Sequence, residues 1–107
     1  MSLKFSEKTV TVEEKTLHGS ICELENAVLA LFWVGEKPKL GGLSVTLPDR
    51  TSSQLLGDRG EMLSRMIGER IASDYDKIAL VSTNLPMGFE GKPVLGLLNE
   101  LLNDGKE

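Results

Sequence analysis

Side-chain catalysis needs acids, bases, nucleophiles or metal ligands brought to one point, and this chain supplies few of them. Among its 107 residues there is one histidine, His18, and one cysteine, Cys22. A lone histidine excludes zinc sites built from several imidazoles and proton relays built from histidine pairs. His18 has the chemistry of a general base, but no Ser or Cys stands at a spacing that sets it beside the imidazole. Next to Gly19 it reads as a surface or turn residue. Cys22 reads as a small buried apolar side chain. A reactive thiolate would need an electropositive setting that the surrounding residues do not show. One cysteine cannot form an internal disulfide, which fits a reducing compartment.

The remaining candidates each have a plain alternative. Asp74 and Asp76 flank Tyr75 as an acidic pair, or as a polar turn between two elements. Asp58 and Glu61 have the spacing of a capping box, which accounts for both carboxylates without a metal. Gly41-Gly42 and Gly57-Asp58-Arg59-Gly60 are the glycine-rich spots, and neither is followed by the lysine of a phosphate-cradling loop. No dinucleotide fingerprint or nucleophile elbow occurs. The expectation is a protein without catalytic residues, metal or cofactor, better suited to binding or assembly than to an enzymatic reaction.

The elements that position these residues follow from hydrophobic periodicity. Thr9 to Glu13 alternates as a strand, with Val10 and Val12 on one face, and Gly19 to Leu24 is a weaker second strand. Ala27 to Val34 is apolar at every position and belongs in the middle of a sheet. Glu25-Asn26 turns the second strand into the third, and Gly35 to Lys39 forms the loop after it. Leu43-Ser44-Val45-Thr46-Leu47 alternates cleanly, with its Leu and Val side chains expected toward the core and Ser and Thr outward. Thr51 to Leu56 reads as a short edge strand.

After Asp58 a helix places Met62, Leu63, Met66, Ile67 and Ile71 in one apolar stripe, with Glu61, Arg65 and Glu69 as a solvated ladder. Lys77 to Ser82 is a buried strand and Asn84 to Gly91 a loop. Pro93 opens a last helix whose apolar face is Val94, Leu95, Leu98, Leu101 and Leu102. The order is β-β-β-β-(β)-α-β-α. The fold expected is α+β, one small domain over residues 1–107, with an antiparallel sheet or sandwich and two amphipathic helices packed on it.

Composition agrees. The chain is 40% hydrophobic and 26% charged, with a net charge of −4. That balance argues against nucleic-acid binding through clustered Lys and Arg and against a polybasic membrane anchor. Met1 to Lys8 holds no apolar leader core, and the longest apolar run, Ala27 to Val34, falls far short of the ~20 residues that span a bilayer. The expected location is the cytoplasm, with the nucleus also compatible.

Several residues invite partners. Trp33 ends the most apolar strand, and its indole N–H suits a sheet rim or an interface as well as a core. Arg70 falls in the apolar stripe of the first helix, so either its stem covers the core while the head reaches water, or the guanidinium pairs with a carboxylate. Met87 and Phe89 are large apolar side chains in a loop of turn formers, as a contact surface or a staple for the last helix.

The stretch from Ala27 to Leu85 resembles the proteasome assembly chaperone 4 family. The resemblance is carried by Leu31-Phe32-Trp33-Val34-Gly35 with Pro38 and Leu40, then Leu43-Ser44-Val45 and Leu55-Leu56-Gly57-Asp58. Ile67-Gly68-Glu69-Arg70-Ile71-Ala72 and Val81-Ser82 with Asn84-Leu85 complete it. It implies a non-catalytic chaperone that pairs with a proteasome assembly chaperone 3-like subunit. Such a pair binds α-type subunits such as α5 while the α ring of the 20S proteasome forms. The hydrophobic-Tyr-any tail of another set of proteasome chaperones is absent from the Asn103 to Glu107 end. Trp33, Leu55, Leu56, Asp58, Arg70, Met87 and Phe89 are the expected contact residues. Self-pairing as a homodimer is expected of the isolated chain. A generic homodimeric adaptor, or a ligand-binding or enzymatic α+β domain, are the other readings.

Overall fold

The computed structural model describes residues 3–57 and 61–105. The chain runs β1 (Ser6–Val12), β2 (Lys15–Glu23), β3 (Ala27–Val34), β4 (Gly42–Thr46), β5 (Ser52–Leu56), α1 (Glu61–Tyr75), β6 (Ile78–Asn84) and α2 (Gly91–Gly105). This is the α+β class and the element order that periodicity implies. The six strands form one sheet in the order β1-β2-β3-β6-β4-β5.

Local chemistry sets the turns. Glu13 and Glu14 join β1 to β2 with φ of 48° and 69°, so the two-residue loop carries the right-handed twist of its strands. Between β4 and β5, Arg50 donates its N–H to the Leu47 carbonyl at 2.7 Å and adopts φ 74°. The Asp49 carboxylate there accepts from the Thr51 N–H at 2.9 Å, which lowers its pKa. Asp76 ends α1 at φ 55°, donating its N–H to the Ala72 carbonyl at 2.8 Å. The acidic pair at Asp74 and Asp76 is thus a helix terminus and turn.

Strand β6 inserts between β3 and β4. It pairs antiparallel with β4 and parallel with β3, in register Val28↔Ala79 and Ala30↔Val81. The sheet is therefore mixed rather than wholly antiparallel. Short turns do force antiparallel neighbours, but β3 and β6 are joined by two strands and a helix, which permits the parallel arrangement.

Both helices lie on one face. Leu17 and Ile21 of β2, Val28, Ala30 and Phe32 of β3, and Ala79 and Val81 of β6 share one side in the pairing register. They form a single core with Ile67, Ile71 and Ala72 of α1 and Val94, Leu97, Leu98, Leu101 and Leu102 of α2. Helix α1 covers β4 and β6, and α2 covers β1 and β2. The seat of α1 differs from the expected stripe. Met62 and Met66 are exposed, whereas Ser64, Ile67, Gly68, Ile71 and Ala72 are buried. The helix approaches the sheet through small residues, so closeness rather than side-chain size defines its inner face.

Strand β4 reverses its expected orientation. Ser44 and Thr46 are buried beneath α1, while Leu43 and Val45 project from the opposite face. Small hydroxyl residues fit under the close helix: Thr46 Oγ1 lies 2.8 Å from Ser52 Oγ, and Ser64 Oγ lies 3.2 Å from Thr83 Oγ1. These bonds offset the cost of burying those hydroxyl groups, while the buried Ser44 Oγ has no partner among the described residues.

Candidate functional site: the uncovered sheet face

The face turned away from both helices is built by strand alternation. It presents His18, Ser20 and Cys22 from β2, Ala27, Leu29, Leu31 and Trp33 from β3, Leu80 and Ser82 from β6, and Leu43 and Val45 from β4. Ala27, Cys22 and Trp33 are buried by their neighbours, and Leu29, Leu31, Leu43, Val45 and Leu80 are half-buried. Among the described residues no helix or further strand packs on this face, and at the β4 side the Gly41 N–H donates to Ser82 Oγ at 3.0 Å, so the loop before β4 borders it.

The chain has 12 Lys and Arg and 16 Asp and Glu, yet none projects from these four strands onto this side. An ordinary outward sheet face alternates apolar-in with polar-out. Here both faces of β3 are apolar, β6 adds Ile78 and Leu80 ahead of Ser82 and Asn84, and β4 places its apolar side outward. A contiguous uncharged apolar surface of this kind needs a second layer.

At its upper end the indole of Trp33 stacks on the His18 imidazole, with ring centroids 5.0 Å apart and planes inclined by 3°. The cross-strand pairing His18↔Trp33 sets that stack. Trp33 is only 3% exposed, and its Nε1–H has no partner among the described residues. His18 is thus a mid-strand residue in the face rather than part of a turn, because β2 begins at Lys15, earlier than the alternation around Gly19 suggests.

The seven residues singled out by sequence fall in three places. Trp33 belongs to the uncovered face. Arg70 lies on the helical side. Its Nη1 donates to Asn99 Oδ1 at 2.8 Å and its Nε to Asp74 Oδ2 at 3.3 Å, so the guanidinium ties α1 to α2. It does pair with a carboxylate, and that carboxylate is on its own helix.

Leu55, Leu56, Met87 and Phe89 gather near the end of the sheet where β5 and β6 finish. Leu55 and Leu56 are half exposed on edge strand β5, Met87 is 82% exposed, and Phe89 packs partly against the core. Asp58 lies outside the described residues, as does the capping pair it was expected to form. A cleft of about 390 Å³ opens beside Met87 and Phe89, lined also by Gly41, Gly42, Gly57, Leu63, Leu85 and Asn84. Its described lining carries no ionisable side chain.

Sequence reasoning did not single out Leu31, Leu80 and Val45 as surface-forming. The signal was the clean alternation of β4 beside a strand with no polar position. Two apolar faces on central strands require two covering layers, and the described residues supply helices for only one.

The fold is thus a single mixed sheet backed on one side by two helices. No family model matches the chain, and no curated protein matches it. Among solved structures, the crystal structure of a novel chaperone complex for yeast 20S proteasome assembly contains a chain with the same fold. The TM-score is 0.70 at 14% identity, over 99% of this chain and 97% of that one.

Proposed function

We propose that this protein is a non-catalytic chaperone of 20S proteasome assembly. The observation that carries the reading is a sheet face that is uncharged across its four inner strands and covered by no helix, in a chain whose whole length shares the fold of a subunit from a yeast assembly-chaperone complex. The face takes the matching sheet of a like-folded subunit, of the proteasome assembly chaperone 3 type, which supplies the missing layer. The pair then holds α-type subunits, α5 among them, while the α ring forms in the cytoplasm or nucleus. Trp33 contributes to the pairing face, and Leu55, Leu56, Met87, Phe89 and Arg70 are contact candidates for the held subunit.

A chaperone that leaves the finished particle must bind the intermediate more tightly than the product, because only differential affinity shifts a population. Collision with an incoming β subunit supplies that difference. Co-expression with a like-folded partner, followed by affinity capture and mass spectrometry, tests the reading. Recovery of the partner together with proteasome α-type subunits is expected. Recovery of neither overturns it. Light scattering of the isolated chain reports self-pairing through the same face, and Leu31→Lys should abolish it.

A further inference from the structure

The outward side chains of the sheet fall into rows that run across the strands, and the rows differ in chemistry. Strand register sets Cys22, Leu29, Leu80 and Val45 side by side in one row, with Ala27 and Ile78 in the row nearer the β2–β3 turn. On the other side of Leu29 and Leu80 lies a mixed row, Glu7, Ser20, Leu31, Ser82, Leu43 and Leu56. The last row holds Thr9, His18, Trp33 and Asn84. The uncovered face is therefore graded along its strands. It is aliphatic at the end where β3 and β6 begin and polar at the end that carries the His18–Trp33 stack.

That gradient decides how a second sheet of the same kind can lie on it. A closed pair of identical faces needs a twofold axis in the plane between them. An axis across the strands turns the rows end for end. Ile78 and Leu80 of one copy would then cover Asn84 and Ser82 of the other, burying polar side chains against aliphatic ones that offer no hydrogen bond, which is unfavourable. An axis along the strands sets each row on its own kind. Leu29 then meets Leu80 of the second copy, and Trp33 meets Asn84 of the second copy. The strand order β1-β2-β3-β6-β4-β5 reverses about the line between β3 and β6, so β1 of each copy crosses β5 of the other. Six strands and four outward rows at ordinary sheet spacing give a footprint of roughly 700 Å², close to the ~800 Å² per partner of a stable interface.

We propose that a second copy of this chain docks on the uncovered face with the twofold axis along the strands, aliphatic rows on aliphatic rows and polar rows on polar rows. The inference rests on the reading of that face as a pairing surface and adds its occupant and orientation.

Light scattering comes first, then cross-linking with a short bismaleimide. The chain carries Cys22→Ser together with Glu7→Cys and Leu56→Cys, two exposed positions of the mixed row on β1 and β5. Within one chain those positions stand at opposite edges of the sheet, ~24 Å apart, beyond the reagent. A dimer in light scattering and a covalent dimer of the double variant are expected, with no covalent product from Glu7→Cys or Leu56→Cys alone. Glu7→Cys with Ser53→Cys, which moves the second thiol one row along β5, should link as well. Linking of Glu7→Cys to itself would set β1 on β1 and overturn the proposal. A dimer in which neither double variant links would overturn it too. A chain that stays monomeric alone, yet captures a like-folded partner with proteasome α-type subunits, would overturn this inference and leave the proposed function standing; a chain that pairs with neither would overturn both.

Discussion

Alanine in place of glycine should have opposite effects at two helical positions, and the sign follows from what a Cβ would meet. In the interior of a helix Gly→Ala is intrinsically favourable by ~1 kcal/mol. At Gly96, in α2, a Cβ finds nothing within 4 Å, so the whole of that gain should appear. At Gly68, in α1, a Cβ would stand 2.2 Å from Thr46 Oγ1 and 3.0 Å from Thr46 Cβ. Thr46 is fully buried and hydrogen-bonded to Ser52, so it cannot swing aside freely. Relief requires α1 to lift from β4 by on the order of 1 Å, and overpacking of this kind costs ~1–3 kcal/mol. After the helix gain, Gly68→Ala should destabilise by up to ~2 kcal/mol, while Gly96→Ala stabilises by ~1 kcal/mol. In a chain of this length those changes move Tm by roughly 4–8 °C per kcal/mol. Urea and thermal unfolding followed by circular dichroism read both. Thr46→Ala should recover part of the loss in the Gly68→Ala background, visible as coupling in a double-mutant cycle. If Gly68→Ala proves as stabilising as Gly96→Ala, α1 does not sit on β4 at the close distance described, and the account of why β4 turns its hydroxyls inward fails with it.

The β1–β2 turn places two glutamates at positive φ, so Glu13→Asn with Glu14→Gly should stabilise by ~1–2 kcal/mol, read as a higher urea midpoint with unchanged slope. Burial, together with the nearby Glu23 and Asp74 carboxylates, raises the Tyr75 pKa above its ordinary value. Its neutral form is therefore favoured in the native state, and its contribution is present below ~10 and lost as pH rises through the folded pKa; Tyr75→Phe should flatten the alkaline arm of a stability–pH profile. Asp49 acts in the opposite direction. The Thr51 amide lowers its pKa, so its contribution is present above ~4 and lost as pH falls through the folded value; Asp49→Ala should remove that acid-side slope. Val45→Lys on the uncovered face should leave the unfolding midpoint of the monomer nearly unchanged while abolishing pairing in light scattering; a collapse of the monomer instead would make that face part of the core.

Most of the architecture was legible because burial demands periodic apolar residues. Ala27 to Val34, with no polar position, declared a central strand, and the stripe through Leu98, Leu101 and Leu102 declared the last helix. The orientation of β4 was not legible. Alternation tells which side of a strand is apolar, but not which side the helices cover, and here a second apolar side is left for something else. The inner face of α1 was hidden for a related reason: Ser64, Gly68 and Ala72 carry little hydrophobic weight, whereas Met62 and Met66 carry much and face solvent. The candidate site was half legible. Trp33 stood out by residue type, but Leu31, Leu80 and Val45 look like ordinary core until the number of covering layers is known. Arg70 drew attention as a charge among apolar residues; its partner Asn99 lies 29 positions away and follows from no local pattern.

The central position of the sixth strand has a consequence for biosynthesis. The sheet's middle is filled by residues 78–84, after everything on either side of it has already been translated. Until that segment leaves the ribosome, the three-stranded N-terminal unit and the β4–β5 hairpin have no hydrogen-bonded link to each other, and each exposes an inner edge. Closure demands contacts between residues some fifty positions apart, a slow step by topology. A nascent chain halted just before Ile78 should therefore be protease-sensitive and prone to aggregate, and releasing only the next seven residues should join both halves into one sheet.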